Sequence, residues 1–492
     1  MLPVPLRYRP SVHSIQRPAK AEALIARRWR DSIRSPKLWR APTPPGAQVM
    51  PSTRRSFLTS AALAGAAPLS AASAARVPGA NDRIRVALIG CGGMGRGDLR
   101  DFLRAGNTQL VGLCDVDESQ IAGAQEQVAD PANQKPEITS QDFRRILDRQ
   151  DIDAVIVASP DHWHPILTVE ACKAGKDVYV EKPLSVTVWE GRQMVKAARK
   201  YDRVVQMGTQ QRSGSQYLAA KEYIDSGKLG KVRLVRCWAY LDWKGETPPQ
   251  PDGPAPAGVD YDMWLGPTEK RPFNPNRFHF TFRWYWPYSG GLMTDWGAHM
   301  IDIANWYMGI KAPSSAMSVG GKFAYPHDAM ETPDTQQVLW EFPEFSMIWE
   351  HALGVGRGPE SREHGVQLHG ENGVLVVDRA GWEVFPETDR IDKPVRSYKA
   401  PGVPYAAYRP DREDMHLAHV QNFLDCMRSR DKPRSDVEIG HNSMIACHLG
   451  NAAVRTGRRV YWDVENEQVV DDPEASSFMY KREYRKPWKL EV

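Results

Sequence analysis

The sequence carries almost no charge imbalance: 64 Lys and Arg stand against 60 Asp and Glu over 492 residues, a net of +4. Without a basic excess there is no case for a nucleic-acid partner. Paired cysteines are also missing. The six present, Cys91, Cys114, Cys172, Cys237, Cys426 and Cys447, form no CxxC pair and no zinc-type spacing. They read as free buried thiols, so neither a disulfide framework nor a metal site is expected. No apolar run downstream of residue 80 is long enough to span a bilayer, which leaves no stable membrane anchor.

What is present fits an ordinary globular chain, with 41% hydrophobic and 25% charged residues. The length predicts two or three domains. A Pro- and Arg-rich stretch, residues 1–49, precedes MPSTRRSFLTSAALAGAAPLSAASA, which begins at Met50. Arg54 and Arg55, then Phe57 and Leu58, an Ala/Leu-rich stretch and small residues at Ala72 to Ala75 follow the order of a twin-arginine export signal. Residues 50–75 are therefore read as a signal peptide, the twin-arginine machinery as a partner, and the protein as periplasmic or otherwise exported. A chance Arg-Arg before an Ala-rich linker is the competing reading and leaves the protein cytoplasmic. Residues 1–49 are either absent from the natural product or a disordered extension.

From Arg83 strands and helices alternate. RIRVALIG is an apolar β-branched run, CGGMGRGDLRDFLRAG opens with glycines and continues helically, and TQLVGLCDVD is a second strand. In this βαβ unit Gly90, Gly92 and Gly95 form a GxGxxG where strand gives way to helix. Gly90 permits a tight turn, Gly92 a close approach of backbone to a pyrophosphate and Gly95 close helix packing, with Gly93 and Met94 completing the loop. Asp115, twenty residues after Gly95, stands where a carboxylate receives the adenosine ribose and repels a 2'-phosphate. NAD is thus expected over NADP; the other reading of Asp115 is a helix cap. DIDAVIVASP, HPILTVEACKAGK, DVYVEKP, VWEGRQMVKAARKYD and RVVQMG continue the alternation, which predicts a doubly wound parallel sheet over residues 83–208.

Further along, GGLMTDWGAHMIDIANWYMG places Asp295, His299 and Asp302 at spacings of four and three, one face of a helix. Three ionisable groups on an apolar stripe are costly unless paired or used. Together with ALIGCGGMG, ASPDHWH and DVYVEKPL, in this order, the stretch resembles the Gfo/Idh/MocA family, the relatives of glucose-fructose oxidoreductase and inositol dehydrogenase. The resemblance runs from about Arg83 to at least Gly309.

The resemblance implies a Rossmann domain followed by an α/β domain, residues 209–465, whose large, mostly antiparallel open sheet makes an oligomer interface; residues 466–492 are left as a tail. It implies a carbohydrate substrate lying over the nicotinamide. Lys182, between Glu181 and Pro183, matches the family lysine that contacts the reacting hydroxyl, and Asp295 and His299 match its acidic residue and catalytic histidine. The chemistry agrees: a histidine suits removal of a hydroxyl proton, and a lysine stabilises alkoxide character. Ser159 and His164, at the end of the third main strand, and Glu181 join the cofactor set. Arg212 either touches cofactor or substrate or is a surface arginine. Trp284 and Tyr285 either stack on a sugar or belong to the core. Asp302 is either a supporting partner or a helix residue, and Gly290 and Gly291 are expected to let backbone pass near the cofactor.

An exported NAD enzyme works where no free NAD pool is expected, so a tightly retained and recycled cofactor is inferred. Net sugar oxidoreduction is the leading reading. A glycosidase that oxidises, eliminates, hydrates and re-reduces is the alternative, although one such branch differs where this chain has EKP. A non-catalytic sugar-binding relative is the third.

Overall fold

The computed structural model describes residues 83–128, 135–387, 406–410, 414–480 and 482–492. The expected export signal and the segment before it lie outside them. Six strands, β1 (Ile84–Ile89), β2 (Thr108–Cys114), β3 (Ile138–Ser140), β4 (Ala154–Val157), β5 (Asp177–Val180) and β6 (Val205–Met207), form a parallel sheet in the order β3-β2-β1-β4-β5-β6. Helices α1 (Gly93–Arg104), α2 (Glu118–Val128), α3 (His164–Lys173) and α4 (Val188–Lys200) alternate with them. Every residue of β4 and β5 is buried, as in parallel strands covered on both faces. β3 adds a strand that the sequence pattern did not single out; three residues at a sheet edge are too short to show a period.

The strand order reverses between β1 and β4. Chains leaving these neighbours depart in opposite directions and open a crevice at their carboxyl ends, where ligands of open α/β sheets bind.

The second sheet has ten strands: β7 (Leu234–Leu241), β8 (Ser315–Gly321), β9 (Thr335–Glu341), β10 (Ser346–Leu353), β11 (His364–His369), β12 (Gly373–Asp378), β13 (Gly381–Pro386), β14 (Ala406–Tyr408), β15 (Val460–Asp463) and β16 (Gln468–Val469). Their order is β14-β13-β12-β11-β7-β10-β9-β8-β15-β16, and β7 with β10 is its parallel pair. Along β9, Gln336, Val338 and Trp340 are buried while Gln337, Leu339 and Glu341 face outward. That alternation marks one covered and one open face.

Helices of this half are α5 (Ser215–Asp225), α6 (Gly291–Asp295), α7 (Gly297–Met308), α8 (Met415–Ser429), α9 (Val437–Thr456) and α10 (Pro473–Met479). α7 and α9 pack on the covered face. α8 packs elsewhere: its apolar residues Val420, Phe423 and Leu424 join Leu99 and Phe102 of α1. Residues 466–492 likewise fold onto the molecule: β16 pairs with β15, and Arg482 bonds Glu190 of α4 at 2.8 Å. No described helix is long and apolar enough to cross a membrane.

Candidate active site

The crevice between β1 and β4 holds a cavity of about 640 Å³, lined among others by Gly92, Gly93, Met94, Asp115 and Lys182. Gly90 ends β1 at φ +98°, and a Cβ there would lie 2.5 Å from the Ala158 carbonyl and the Ser159 nitrogen. A Cβ on Gly95 would come within 2.0 Å of the Gly90 oxygen, so α1 can sit against the turn only because that atom is missing. At Gly92 and Gly93 a Cβ would meet nothing within 4 Å. Gly92 caps α1 with no side-chain hydrogen bond; the first-turn N–H groups stay available, a site suited to phosphate.

Asp115 follows β2 and accepts the Cys91 N–H at 2.7 Å and the Asp117 N–H at 3.0 Å. Burial holds its pKa above the ordinary value against those two bonds. Asp117, not Asp115, accepts the Ser119 N–H at the start of α2 (2.8 Å). Free N–H groups at one point and a carboxylate at the end of the next strand fit a dinucleotide.

The opposite wall comes from the loops after β4 and β5. His164 opens α3 with one ring nitrogen 2.8 Å from the Pro183 carbonyl and the other 2.8 Å from the Ser159 carbonyl. Burial outweighs those bonds and brings its pKa down to about 4. His164 thus lies between the Ser159 turn and the Glu181–Lys182–Pro183 turn, and as a neutral ring it donates its single N–H to one of the two carbonyls. Glu181 is fully buried, accepts the Lys182 N–H at 3.2 Å, and is pushed up to about 8 by burial and by the neighbouring Asp98.

Lys182 reaches from this turn into the second half of the molecule, where its ammonium pairs with the Asp295 carboxylate. Burial acts to raise the Asp295 pKa, but Lys182 and Arg283 more than offset it and leave the carboxyl below its ordinary value. His299 is 3% exposed and its Nδ1 has no hydrogen-bond partner among the described residues. Burial, reinforced by the charges of Lys182 and Arg379, lowers its pKa well below 6.5. Asp295 and His299 do not line the cavity, but with Lys182, which does, they bring together an ammonium, an ionised carboxylate and a neutral imidazole, which together can hold a hydroxyl, accept its proton and stabilise the oxygen left behind.

The helix expected to carry all three stripe residues is split. Asp295 ends α6, Trp296 bridges, and His299 lies in the first turn of α7, with its N–H bonded to the Trp296 oxygen at 3.0 Å. Asp302, one turn on, belongs elsewhere. It receives the Arg212 fork at 2.6 and 3.0 Å and the Ser443 hydroxyl at 2.8 Å. Arg212 is buried, and its guanidinium also lies over the Trp306 ring at 5.2 Å, so it is turned inward rather than to the surface.

Trp284 is fully buried beside Trp243, and Tyr285 is 5% exposed; neither lines the cavity. From that same 3-10 segment, His279–Trp284, the rings that do are His279, Phe280 and Phe282, and Phe143, Trp163 and Trp264 line it from elsewhere. Gly290 and Gly291 do not make room for a cofactor. A Cβ on Gly290 would strike Thr294 and Asn451, and one on Gly291, at φ +66°, would strike Thr332 at 2.6 Å. They let α6 start against its own neighbours.

Two further residues escaped the sequence reading. Asp161, in the loop after β4, lines the cavity, accepts the Ser289 hydroxyl and is raised by burial to about 7. Its position inside SPDHWHP at a strand end was the available signal. Arg283 lies 3.6 Å from Asp295 and sits against Phe280 at 4.2 Å; nothing in the aromatic loop distinguished it.

Two family models match the chain: "Oxidoreductase family, NAD-binding Rossmann fold" over residues 84–209, and "Oxidoreductase family, C-terminal alpha/beta domain" over residues 221–332 and 405–490. Among curated proteins, Glycosyl hydrolase family 109 protein 1 of Shewanella sp. (strain MR-4) is 30% identical over 152 residues, 30% of this chain and 33% of that protein. An alpha-N-acetylgalactosaminidase of Shewanella oneidensis is 28% identical over 152 residues, with the same shares. The chain spans about a third of the length of the curated relatives it matches. Among solved structures, aldose-aldose oxidoreductase from Caulobacter crescentus complexed with glycerol superposes with a TM-score of 0.58 at 20% identity, covering 77% of this chain and 99% of that one. Myo-inositol 2-dehydrogenase from Lactobacillus plantarum gives 0.56 at 21%, with the same coverage. At such identities the likeness is one of fold.

Proposed function

The chain belongs to the Gfo/Idh/MocA family of oxidoreductases, and on that premise we propose that it is an NAD(H)-dependent oxidoreductase acting on a secondary hydroxyl of a sugar or sugar derivative. One observation carries the reading: the Lys182 ammonium lines the cofactor cavity and is paired directly with Asp295, with neutral His299 in its electrostatic reach. NAD, when bound, supplies the hydride acceptor or donor. His299 accepts the hydroxyl proton and returns it in the reverse direction. Its depressed pKa keeps the imidazole in the accepting form down to acid pH and makes the imidazolium a ready donor to a carbonyl oxygen. Lys182 favours negative charge on the reacting oxygen, and Asp295 fixes Lys182 while leaving a carboxylate oxygen to hold a neighbouring hydroxyl.

The protein is exported in this reading through the twin-arginine signal at residues 50–75, with NAD loaded before export and retained. It assembles as a dimer or tetramer through the open sheet face, where Met317 and Leu339 pair across β8 and β9 and Val319 is 71% exposed. A second reading is favoured by the curated relatives named as glycosidases: transient oxidation of a glycoside, elimination, hydration and re-reduction, with no net redox change.

Protein produced from Met50 and purified without added cofactor tests both. Nucleotide released on denaturation in near-equal amount to protein, and turnover of sugar pairs without external NAD, supports oxidoreduction with retention. Release of aglycone from glycosides with no net redox change supports the second reading. Bound NAD with no turnover of either class leaves the fold as a sugar-binding module. Empty protein that binds NAD weakly removes retention and leaves an ordinary dehydrogenase.

A further inference from the structure

Among the described residues, Arg379 is a partly buried guanidinium near the Lys182 wall with no carboxylate partner. It sits in the turn between β12 and β13, and that turn is fixed. Asp378 accepts the N–H groups of Ala380 and Gly381 at 2.8 and 3.1 Å and pairs with Arg362 at 2.8 Å, and Gln216 donates to the Arg379 carbonyl at 2.9 Å. The guanidinium lies over the Trp296 ring at 4.9 Å. Trp296 is the residue between Asp295 and the helix of His299, with its ring 5.8 Å from that imidazole and 4.9 Å from His364. The Arg379 Nε is buried with no hydrogen-bond partner among the described residues, and no carboxylate of those residues lies within ion-pair distance of the group. Both ring nitrogens of His364 are buried and unpartnered too.

The charges around this wall do not balance. Lys182, Arg283 and Arg379 are cations, Asp295 is the ionised carboxylate facing them, and Asp161, raised by burial to about 7, offsets them only in part. Asp295 is already held by Lys182. Burying a guanidinium without a counter-charge is costly, and such a group normally carries a partner. A planar fork with free donors beside an uncommitted imidazole has the geometry for an oxyanion.

Building on the oxidoreductase reading, we propose that the substrate is an acidic sugar, and that Arg379, with His364 beside it, binds its oxyanion, a carboxylate or a phosphate, while Lys182 and His299 handle the hydroxyl to be oxidised. Arg379 is then a specificity residue, and a neutral sugar leaves it unpaired.

The test uses the NAD-loaded protein, titrated by calorimetry with D-glucuronate, glucose 6-phosphate and glucose, with reduction of bound nicotinamide followed in parallel. One of the two acids should bind roughly ten- to a hundredfold more tightly than glucose, with a strong salt dependence. Preference for glucuronate assigns a carboxylate and preference for the phosphate ester a phosphoryl group. Arg379→Gln should collapse the preference to near unity and Arg379→Lys should retain part of it. Glucose binding as well as both acids in the wild-type protein, no binding of either acid, or an equal loss for all three ligands in Arg379→Gln would overturn the proposal. Tight acid binding with no nicotinamide reduction by any sugar would sink the oxidoreductase reading and leave the anion site standing; reduction by glucose with no acid preference would do the reverse.

Discussion

Two arginines of the second domain, Arg212 buried and Arg379 partly so, lie near the same pair of helices and differ in their partners. Arg212 is closed: Asp302 takes its fork, Ser443 bonds the same carboxylate, and Trp306 covers the plane. Arg379 is open, with an aromatic face beneath it and no counter-ion among the described residues. Equivalent chemistry thus marks structure at one end of the Asp295–Asp302 stripe and recognition at the other. Residue type does not separate them; satisfaction does.

The contrast is sharpest if the open end is removed. His299→Ala should lower kcat/KM for hydride transfer by roughly a hundred- to ten-thousandfold, with NAD binding retained and no charge stranded, because the imidazole Nδ1 has no hydrogen-bond partner among the described residues. At the closed end the order reverses. Asp302→Ala leaves the Arg212 charge buried and alone, and should cost about 3–5 kcal/mol in denaturant unfolding, while the folded fraction keeps its KM. A stable but inactive Asp302→Ala protein would break the comparison.

The sequence was informative where backbone makes the site. Gly90 and Gly95 are required by contacts with Ala158 and the Gly90 oxygen, and a glycine is visible in a sequence. It was least informative where side chains from distant segments meet. Arg212 and Asp302 are 90 residues apart, and no local pattern pairs them; Arg379 lies on a hairpin turn whose direction only the sheet register sets. The stripe itself was legible, but its division into a wall at Asp295 and His299 and a strut at Asp302 was not, since α6 and α7 break at Trp296. Aromatic density around Trp284 signalled a feature without telling the cavity-facing Phe280 and Phe282 from the buried Trp284.

A third buried cluster tests whether satisfied charge can be read by pH. His416 of α8 pairs with Asp101 at 2.6 Å and Asp98 at 3.0 Å, and these bonds outweigh burial to raise its pKa to about 10. A histidine raised on folding stabilises fully below its ordinary 6.5 and loses that contribution as pH climbs through about 10. Glu181, held at about 8 by burial, tilts stability the same way at lower pH. Tm should therefore decline over this window, and less steeply in His416→Phe; an unchanged slope would remove the ion pair from the account. His299 gives the opposite signature in activity: its lowered pKa should put the acid limb of kcat/KM for sugar oxidation well below pH 6.5. The smallest effect is expected far from both arginines, at the capping box of α4, where Thr187→Ala removes a 3.2 Å bond from Glu190 N–H and should cost about 1 kcal/mol with no change in sugar preference.

The central claim is that Lys182, Asp295 and His299 form the reacting end of an NAD site. It is tested most directly by mixing NAD-loaded protein with sugars, acidic and neutral, and following the near-ultraviolet absorbance of reduced nicotinamide in a single turnover. Reduction is expected in the wild-type protein and its loss in Lys182→Met and His299→Ala, with NAD still bound in both. Bound NAD that no sugar reduces, or reduction that survives both substitutions, would contradict it.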